Sequence, residues 1–415
     1  MNKLYSLLFM VGALAMASSC TPEIKDVFDK PAATRIMESI ENTKQVLVSA
    51  PNGWRVAYQG SSLYGGYNLI CQFDKDNGVH CLDVTTQTED TSHYSVEQSQ
   101  GVLLSFDSFN KAFHIYSDPV ANVGTNGKGY EGDFEFRVLK ATADSVIMAG
   151  KKHNARIVMT PMAANQKWAD FVSQVNTVKQ NMKTDRYKLI VGDVTYPCTM
   201  SYNVLKATDA EGTVHDIPVI YTPAGLDVLT PVTLNGKVIS GFTYTEDDNW
   251  LDKVDKTIKL VPASTAELFI NGWWTPNMKK SSAKVVQLFQ AAAKANTKFP
   301  LSYAYFGTES ISLGSQFGIS IKMSKYWGQI VLGVEQVDDE TIVISGKTTA
   351  DANGDYFTKN FHWDKIIEML TPNGKPGTYK LKANKTKLPT RITLTCVEDP
   401  SIVFVCDKGD VKISF

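Results

Sequence analysis

The feature that most constrains this chain is a two-residue alternation of apolar and polar side chains, which begins at Trp54 and recurs over most of the sequence. From Trp54 to Pro161 the alternating runs are short, rich in β-branched and aromatic residues, and separated by glycine, asparagine and aspartate. Successive side chains of a strand point to opposite faces of a sheet, and such separators form hairpin turns. The pattern therefore predicts antiparallel strands joined by hairpins, in a sheet that curls or closes.

Four segments interrupt the strands with apolar residues at helical spacing. The first follows Pro31, the second begins at Trp168, the third spans residues 283–295 and the fourth spans residues 363–370. A stripe of this kind covers a sheet face or the mouth of a barrel. The predicted fold is therefore mainly β (α+β), with two related antiparallel β-meander units or partly closed sheets, each with a covering helix.

An ordered set of matches between the two halves of the chain suggests a partial internal duplication. The matched features are residues 144–151 with 340–347, Trp168 with Trp363, Tyr187 with Tyr379, and Pro197 with Pro389. Chance similarity between small β domains is the alternative. The predicted divisions are a signal peptide over 1–19, a tether over 20–30, an N-terminal β-rich domain with flanking helices over 31–185, and a second β-rich region over 186–415.

The amino terminus has the three-part layout of a secretory signal peptide. Its apolar run, residues 4–17, is shorter than the roughly 20 residues of a membrane-spanning helix. Small residues directly before Cys20 resemble a lipobox, in which the cysteine thiol receives a diacylglycerol. We therefore predict cleavage after residue 19 and anchoring of the mature chain to a lipid bilayer through acylated Cys20. An ordinary cleaved signal with an incidental cysteine is the alternative.

Acidic residues follow Cys20 within the predicted tether, at Glu23, Asp26 and Asp29. They resemble the export signal that carries lipoproteins of Bacteroidetes to the outer face of the outer membrane. The predicted location is therefore the outer membrane, with the body of the protein at the cell surface. A periplasmic orientation is the alternative.

Charge and motif content argue against several classes of protein. The 42 basic and 43 acidic side chains are scattered along the chain and give a net charge of −1, so no nucleic-acid partner is predicted. The sequence contains no His-Glu-x-x-His, Gly-x-Ser-x-Gly, Walker or Rossmann pattern. We therefore predict no catalytic residue, no metal site and no cofactor.

Two pairs of cysteines flank turns in a chain that is predicted to be exported to an oxidising compartment. Cys71 and Cys81 flank Asp-Asn-Gly, and Cys396 and Cys406 flank Glu-Asp-Pro-Ser. If each pair lies across a hairpin, the two Cβ atoms face one another on neighbouring strands and a disulfide can form. Buried free thiols are an equally good interpretation for both pairs, and Cys198 is predicted to be a core residue.

Aromatic residues provide the predicted ligand contacts. Trp273 and Trp274 are adjacent, so on a strand one indole packs inside while the other stays exposed. An exposed indole suits sugars, peptides or apolar ligands. Tyr64, Tyr67 and Tyr130, which lie among glycines, are fainter candidates. Burial of both tryptophans under the third helix is the alternative.

Four carboxylates between strands, Asp107, Asp118, Asp133 and Glu135, are the basis for considering a hydrolase. Glycoside hydrolysis needs two acids roughly 5–10 Å apart. Aspartates between strands more commonly form turns and caps. The sequence therefore favours binding over cleavage.

A series of short motifs resembles one family. The residues that carry the resemblance are Asn52-Gly53-Trp54 with Tyr58, Gly65-Gly66-Tyr67, His93-Tyr94-Ser95, residues 103–110, residues 114–119, residues 132–136 and Gly150-Lys151-Lys152. In combination they resemble the Bacteroidetes lipoprotein family known as domain of unknown function 4302. The resemblance covers most of the mature chain, is densest over residues 35–160, and carries no catalytic residue to transfer. It implies an accessory lipoprotein that is encoded beside an outer-membrane nutrient importer and has a surface role in nutrient capture.

Together these observations predict a surface-anchored, non-enzymatic accessory lipoprotein that binds a nutrient or docks on an outer-membrane importer complex. The predicted small ligand is an oligosaccharide, a peptide or an iron compound. An adhesion or structural module that contacts a partner protein or host surface is the first alternative, and a large exposed apolar patch would favour it. A hydrolase of glycans or peptides is the second, and convergent carboxylates in one cleft would favour it.

Overall fold

The computed structural model describes residues 29–120, 123, 126–245, 249–295, 297–309, 311, 313–314 and 316–415. The predicted signal peptide, Cys20 and most of the predicted tether lie outside these residues. The described chain forms three antiparallel sheets made of consecutive strands, and the predicted mainly β fold is confirmed. Within the described ranges, no helix combines the length and the apolar character that crossing a bilayer requires.

The first sheet, called here the N-terminal sheet, is a meander that curls almost into a barrel. Its strands are β1 (Trp54–Gln59), β2 (Tyr67–Phe73), β3 (Gly78–Asp83), β4 (Glu89–His93), β5 (Ser95–Ser99), β6 (Gly101–Ser105), β7 (Glu135–Thr142), β8 (Ser145–Gly150) and β9 (Arg156–Pro161). Strand β9 pairs with β1, which leaves β4 and β5 at the two edges. Only Tyr94 separates these edge strands in the sequence, so the sheet must curl until its edges meet. Helix α1 (Ala32–Val48) packs on this sheet, as does the short helix α2 (Lys111–His114).

The second sheet, the middle barrel, closes after eight strands. Its strands are β10 (Arg186–Val191), β11 (Val194–Ser201), β12 (Val204–Thr208), β13 (Val214–Thr222), β14 (Gly225–Leu234), β15 (Lys237–Tyr244), β16 (Trp250–Asp252) and β17 (Ile258–Pro262). Closure is made by pairing of β10 with β17, in which Leu189 lies opposite Leu260. Helix α3 (Trp168–Gln180) precedes β10 and contributes its apolar stripe to the core of this barrel. The helix therefore covers the barrel as the sequence predicts.

The third sheet, the C-terminal barrel, also closes after eight strands. Its strands are β18 (Trp274–Pro276), β19 (Leu301–Phe306), β20 (Gly318–Met323), β21 (Tyr326–Asp338), β22 (Thr341–Ala350), β23 (Gly377–Ala383), β24 (Arg391–Cys396) and β25 (Val403–Lys408). Its helices are α4 (Thr265–Ile270), α5 (Ala283–Lys294), α6 (Ala352–Asn360) and α7 (Trp363–Leu370), and a 3₁₀ turn spans Pro372–Gly374. Side chains of all four helices belong to the core of this barrel.

The predicted second region, residues 186–415, contains two of the three sheets. The meander closes when β17 pairs with β10, so the next strand, β18, has to begin a new sheet. The segments matched in the predicted duplication do not occupy equivalent places. Residues 144–151 lie in the N-terminal sheet and Tyr187 in the middle barrel, whereas residues 340–347 and Tyr379 share the C-terminal barrel.

A different correspondence is present at the start of the first and third sheets. In both, a helix is followed by Asn-Gly-Trp. The first strand of the meander then begins with a tryptophan, Trp54 in the first sheet and Trp274 in the third. The Trp54 indole donates a hydrogen bond to the Leu47 carbonyl oxygen, and the Trp274 indole donates one to the Leu268 carbonyl oxygen, each at 2.8 Å. Both indoles are buried, and a buried polar group left unpaired costs about 1–3 kcal/mol. Each bond therefore fixes a helix to the strand that follows it.

Buried hydrogen bonds join the N-terminal sheet to the middle barrel. The Gly66 amide donates to the Val219 carbonyl oxygen at 2.9 Å, and the Asn203 side chain donates to the Gly66 carbonyl oxygen at 2.7 Å. Gly65 has a φ of +69°, and a Cβ at this position would lie 2.0 Å from the Asn203 carbonyl oxygen. Only glycine tolerates both the conformation and the close approach.

The two cysteine pairs differ in register. Cys71 on β2 lies directly opposite Cys81 on β3, both side chains are buried, and their Sγ atoms are 2.8 Å apart as free thiols. Cys406 on β25 lies opposite Ile392 instead of Cys396, because Cys396 ends β24 beside the turn while Cys406 is three residues inside β25. Of the two interpretations for this pair, the register therefore favours buried free thiols over a disulfide.

Cys198 lies in the core of the middle barrel, as predicted. Burial raises the pKa of its thiol to about 12. Since the thiolate is the reactive form of cysteine, this side chain is protected from exchange at neutral pH.

We expect Cys71 and Cys81, which are also buried in the folded protein, to form a disulfide when the reduced, unfolded protein is refolded in an oxidising glutathione buffer. The bond closes a loop of ten residues and should raise the free energy of unfolding by about 2–3 kcal/mol. The measurement is peptide mapping after unfolding and alkylation, with Cys198, Cys396 and Cys406 alkylated in full as internal controls. Recovery of a peptide that links Cys396 to Cys406 would contradict the register described above, and alkylation of all five thiols would contradict the predicted disulfide.

Candidate functional site

The predicted pair of tryptophans opens the C-terminal barrel, and its two indoles lie on opposite sides of the sheet. Trp274 is 1% exposed and belongs to the core of the barrel. Trp273, directly before β18, is half-buried and lies outside that core. This is the alternation expected of a strand. It corrects the prediction for Trp274, which no ligand can reach, while Trp273 remains a candidate.

Three aromatic side chains of neighbouring strands join Trp273 on the outer face of the barrel. Tyr303 and Tyr305 are two residues apart on β19 and so share a face, while Ala304 and Phe306 belong to the core. Trp327 reaches the same face from β21. Trp273, Tyr303, Tyr305 and Trp327 are called here the aromatic platform.

The rings of the aromatic platform contact one another with Tyr305 at the centre. The Tyr305 ring centroid lies 5.0 Å from that of Trp273, 5.8 Å from that of Tyr303 and 5.9 Å from that of Trp327. Trp273 meets Tyr305 edge-on at 82°, whereas Tyr303 and Trp327 are inclined to it by 27° and 26°. Such pairs contribute about 0.5–1.5 kcal/mol each beyond the area they bury. The platform therefore holds its arrangement without a ligand.

The aromatic platform is open to solvent around its central ring. Tyr305 is only 2% exposed because the surrounding rings cover it. Trp327 is 39% exposed, and Trp273 and Tyr303 are half-buried. Three rings therefore present part of their surface to an incoming molecule, and the fourth supports them.

The segment after β25 supports the aromatic platform along one side. The Tyr305 hydroxyl donates a hydrogen bond to the Asp410 carboxylate, and the Gly409 amide donates one to the Trp273 carbonyl oxygen at 2.9 Å. Burial, together with the bond to Asp410, raises the pKa of Tyr305 well above its ordinary value. The phenol therefore stays protonated at neutral pH and keeps this bond.

Tyr64 and Tyr67, also predicted to contact a ligand, are buried in the N-terminal sheet. They are 5% and 6% exposed. The Tyr67 ring lies 4.9 Å from that of Tyr116 and 5.1 Å from that of Tyr130, and the Tyr64 ring lies 5.5 Å from that of Tyr130. The neighbouring glycines bring the chain against the middle barrel instead of forming an open loop. This corrects the prediction for both tyrosines, which support the junction between the two sheets.

The four carboxylates considered for hydrolysis each bind a neighbouring group of the fold. Asp133 accepts hydrogen bonds from the backbone amides of Lys152, His153 and Ala155. Glu135 forms an ion pair with Lys151, and the Asp107 carboxylate contacts the His93 ring. Asp118 accepts a hydrogen bond from the Val120 amide. These bonds give all four a turn-forming or strand-joining role. In the part of the chain that the structure describes, no three His, Cys, Asp or Glu side chains lie close enough to hold a metal ion.

A second candidate site is a cleft of about 760 Å³ between the middle and C-terminal barrels. Its charged residues pair with one another, Arg186 with Glu309 and Lys188 with Glu267. The Glu267 carboxylate also accepts the Ser264 amide in the capping box of α4. Because these charges compensate each other, a polar ligand would have to break an existing pair to bind there. The aromatic platform is therefore the stronger candidate.

The fold and the site define a protein of three consecutive antiparallel meanders with an exposed aromatic surface on the last. The chain belongs to the family described as domain of unknown function (DUF4302), whose sequence profile matches residues 25–246. The matched residues end before the C-terminal barrel, so the aromatic platform lies outside them. The family description assigns no activity.

Comparison with curated proteins finds no match. Among solved structures, the chain is similar to the beta subunit from the DNA polymerase of Streptococcus pyogenes, with 10% identity, 92% of this chain and 98% of that chain covered, and a TM-score of 0.13. It is also similar to the DNA polymerase sliding clamp from Bacillus subtilis, with 9% identity, 91% and 97% covered, and a TM-score of 0.11. Likeness at these TM-scores supports no inference about fold or function.

The sequence indicated Trp273 as a ligand contact but not the other three rings of the aromatic platform. A signal was present, since Tyr303 and Tyr305 occupy alternate positions in Leu-Ser-Tyr-Ala-Tyr-Phe. The alternation shows that the two tyrosines share a face, but it does not show which face is outside. That assignment needs the pairing of β19 with β18 and β20, which depends on closure of the barrel.

Proposed function

We propose that this protein is a non-enzymatic binding protein, lipid-anchored at the outer membrane, whose aromatic platform binds an oligosaccharide nutrient. The observation that carries the proposal is the partly exposed ring surface of Trp273, Tyr303 and Trp327 around Tyr305. A pyranose presents C–H groups of slight positive charge on its flat face, and an aromatic ring presents a negative face to them. Because the barrel already orders these rings, binding loses little conformational entropy.

The surroundings of the aromatic platform favour a sugar over the other two predicted ligands. Residues 263–361 contain no histidine or cysteine, so this face offers an iron compound neither of these common protein ligands. A peptide that adds a strand needs an open sheet edge, whereas β18–β21 belong to a closed barrel. An open surface of rings instead matches the flat, partly apolar face of a polysaccharide.

One observation supports importer docking or adhesion as a second role. Phe109 and Phe134 on the N-terminal domain are 69% and 43% exposed, and the His114 ring contacts both of theirs. Exposed aromatic groups are common at protein interfaces. This patch is far in sequence from the aromatic platform, so substitutions can separate the two roles.

We expect Trp327→Ala and Trp273→Ala each to weaken polysaccharide binding by at least about fivefold, which corresponds to about 1 kcal/mol for the loss of one stacked ring. The measurement is affinity electrophoresis in native gels that contain xylan, laminarin, dextran or polygalacturonate. Phe109→Ala is the matched control, because it removes an exposed aromatic ring from the loop before α2 of the N-terminal domain and should leave retardation unchanged. Thermal unfolding of each variant establishes that the barrel is intact.

Equal retardation of wild type and both tryptophan variants would exclude the aromatic platform as the binding surface. Absence of retardation by all four polysaccharides would contradict oligosaccharide binding itself. A loss of retardation in Phe109→Ala would move the site to the N-terminal domain.

The proposed anchor rests on Cys20 and the small residues before it. We expect Cys20→Ala to abolish incorporation of labelled palmitate and to release the protein from the membrane fraction, because a permanent anchor needs the attached acyl chains. In intact cells, protease should remove an epitope placed next to Phe415, while a periplasmic marker survives. Membrane association of Cys20→Ala would contradict the lipid anchor, and survival of the epitope until lysis would place the body in the periplasm.

A further inference from the structure

A lysine side chain lies across the aromatic platform. Lys322 is on β20 between Tyr303 of β19 and Trp327 of β21, and it is the cross-strand partner of both. Its Nζ atom lies 5.5 Å from the ring centroid of Tyr303 and 5.1 Å from that of Trp327. Contacts of a cation with two ring faces hold the ammonium group in a defined position.

This positive charge has no carboxylate partner among the described residues. Neither Lys322 nor Lys325, whose Nζ lies 5.5 Å from the Tyr326 ring centroid, forms an ion pair within the described ranges. Other lysines on the outside of the same barrel do form them: Lys347 with Asp355, Lys380 with Asp338, and Lys408 with Asp185. The Asp410 carboxylate, which contacts the platform at Tyr305, accepts the hydrogen bond of the Tyr305 hydroxyl. The platform therefore has an uncompensated positive charge next to its exposed rings.

Building on the proposed function, we propose that the ligand of the aromatic platform is an acidic polysaccharide, and that Lys322 binds its anionic group. A sugar ring stacked on Trp327 or Tyr303 would place a carboxylate or sulfate substituent within reach of the ammonium that lies over both rings. A charge-assisted hydrogen bond of this kind is roughly twice as strong as a neutral one. A neutral sugar would gain only the stacking.

Single-stranded nucleic acid also combines bases that stack with a charged backbone. Proteins that bind it follow the backbone with a positively charged groove. This chain has a net charge of −1, and the uncompensated lysines of the platform lie near one end of the β20–β21 hairpin. The observations therefore favour an acidic polysaccharide, whose charges are borne by the same sugars that stack.

The test compares two probes with one backbone, polygalacturonate and its fully methyl-esterified form, by isothermal titration with the intact mature chain. Wild type should bind polygalacturonate at least about tenfold more tightly than the ester, as expected for a charge-assisted bond. Lys322→Gln should remove this preference and leave binding of the ester within twofold. Lys322→Arg should retain most of the preference because it keeps the charge.

Lys382→Gln is the matched control, since Lys382 is an exposed lysine on β23 of the same barrel, and it should bind both probes as wild type does. Dextran sulfate and dextran form a second pair, and a preference only for dextran sulfate would support the proposal with sulfate as the anionic group. Equal binding of charged and neutral probes, unchanged in Lys322→Gln, would overturn the acidic preference and leave the proposed function in place. Binding of a fifteen-residue oligothymidylate with no binding of any polysaccharide would overturn both.

Discussion

The two-residue alternation of side chains along a β-strand is the constraint on which the arrangement of this protein depends. At the start of the C-terminal barrel it sends Trp274 into the core, where the indole bonds the Leu268 carbonyl oxygen, and leaves Trp273 outside. On β19 it places Tyr303 and Tyr305 on the outer face together. The same alternation thus builds the core and the aromatic surface, so neither can shift by one residue without the loss of the other.

Closure of the sheets fixes the register of the strands, and the register determines which side chains face outward. All three meanders pair their first strand with their last. Two of them are closed barrels, and in the N-terminal sheet the edge strands β4 and β5 are separated in the sequence only by Tyr94. A closed sheet has no edge at which the register can slip or a second chain can pair. The outer face of the C-terminal barrel is consequently rigid, and rings that project from it meet a ligand in the positions they already hold. Hydrogen bonds donated by the Gly409 amide and the Tyr305 hydroxyl also hold the segment after β25 against this outer face.

The mainly β fold and the covering helix α3 could be predicted from periodicity, because each depends on residues close in sequence. The division of residues 186–415 into two barrels could not, since it depends on which distant strands pair, such as β10 with β17. The roles of Tyr64 and Tyr67 were mistaken for a similar reason. Glycines beside them suggested an open loop, whereas Gly65 and Gly66 allow close packing against Asn203 and Val219. Of the site, only Trp273 was predicted. The other rings lie on strands of the barrel, and which of their side chains point outward is determined by closure of the barrel.

The central claim is that the ligand lies on the outer face of the C-terminal barrel and not between the barrels. The most direct measurement is a crystal structure of the mature protein with a hexasaccharide cut from the polysaccharide that it binds most tightly. We expect a pyranose ring within about 4 Å of the Trp327 or Trp273 ring, with the sugar's anionic group next to Lys322. A sugar bound in the cleft between Arg186 and Glu309, with the platform rings still facing solvent, would contradict it.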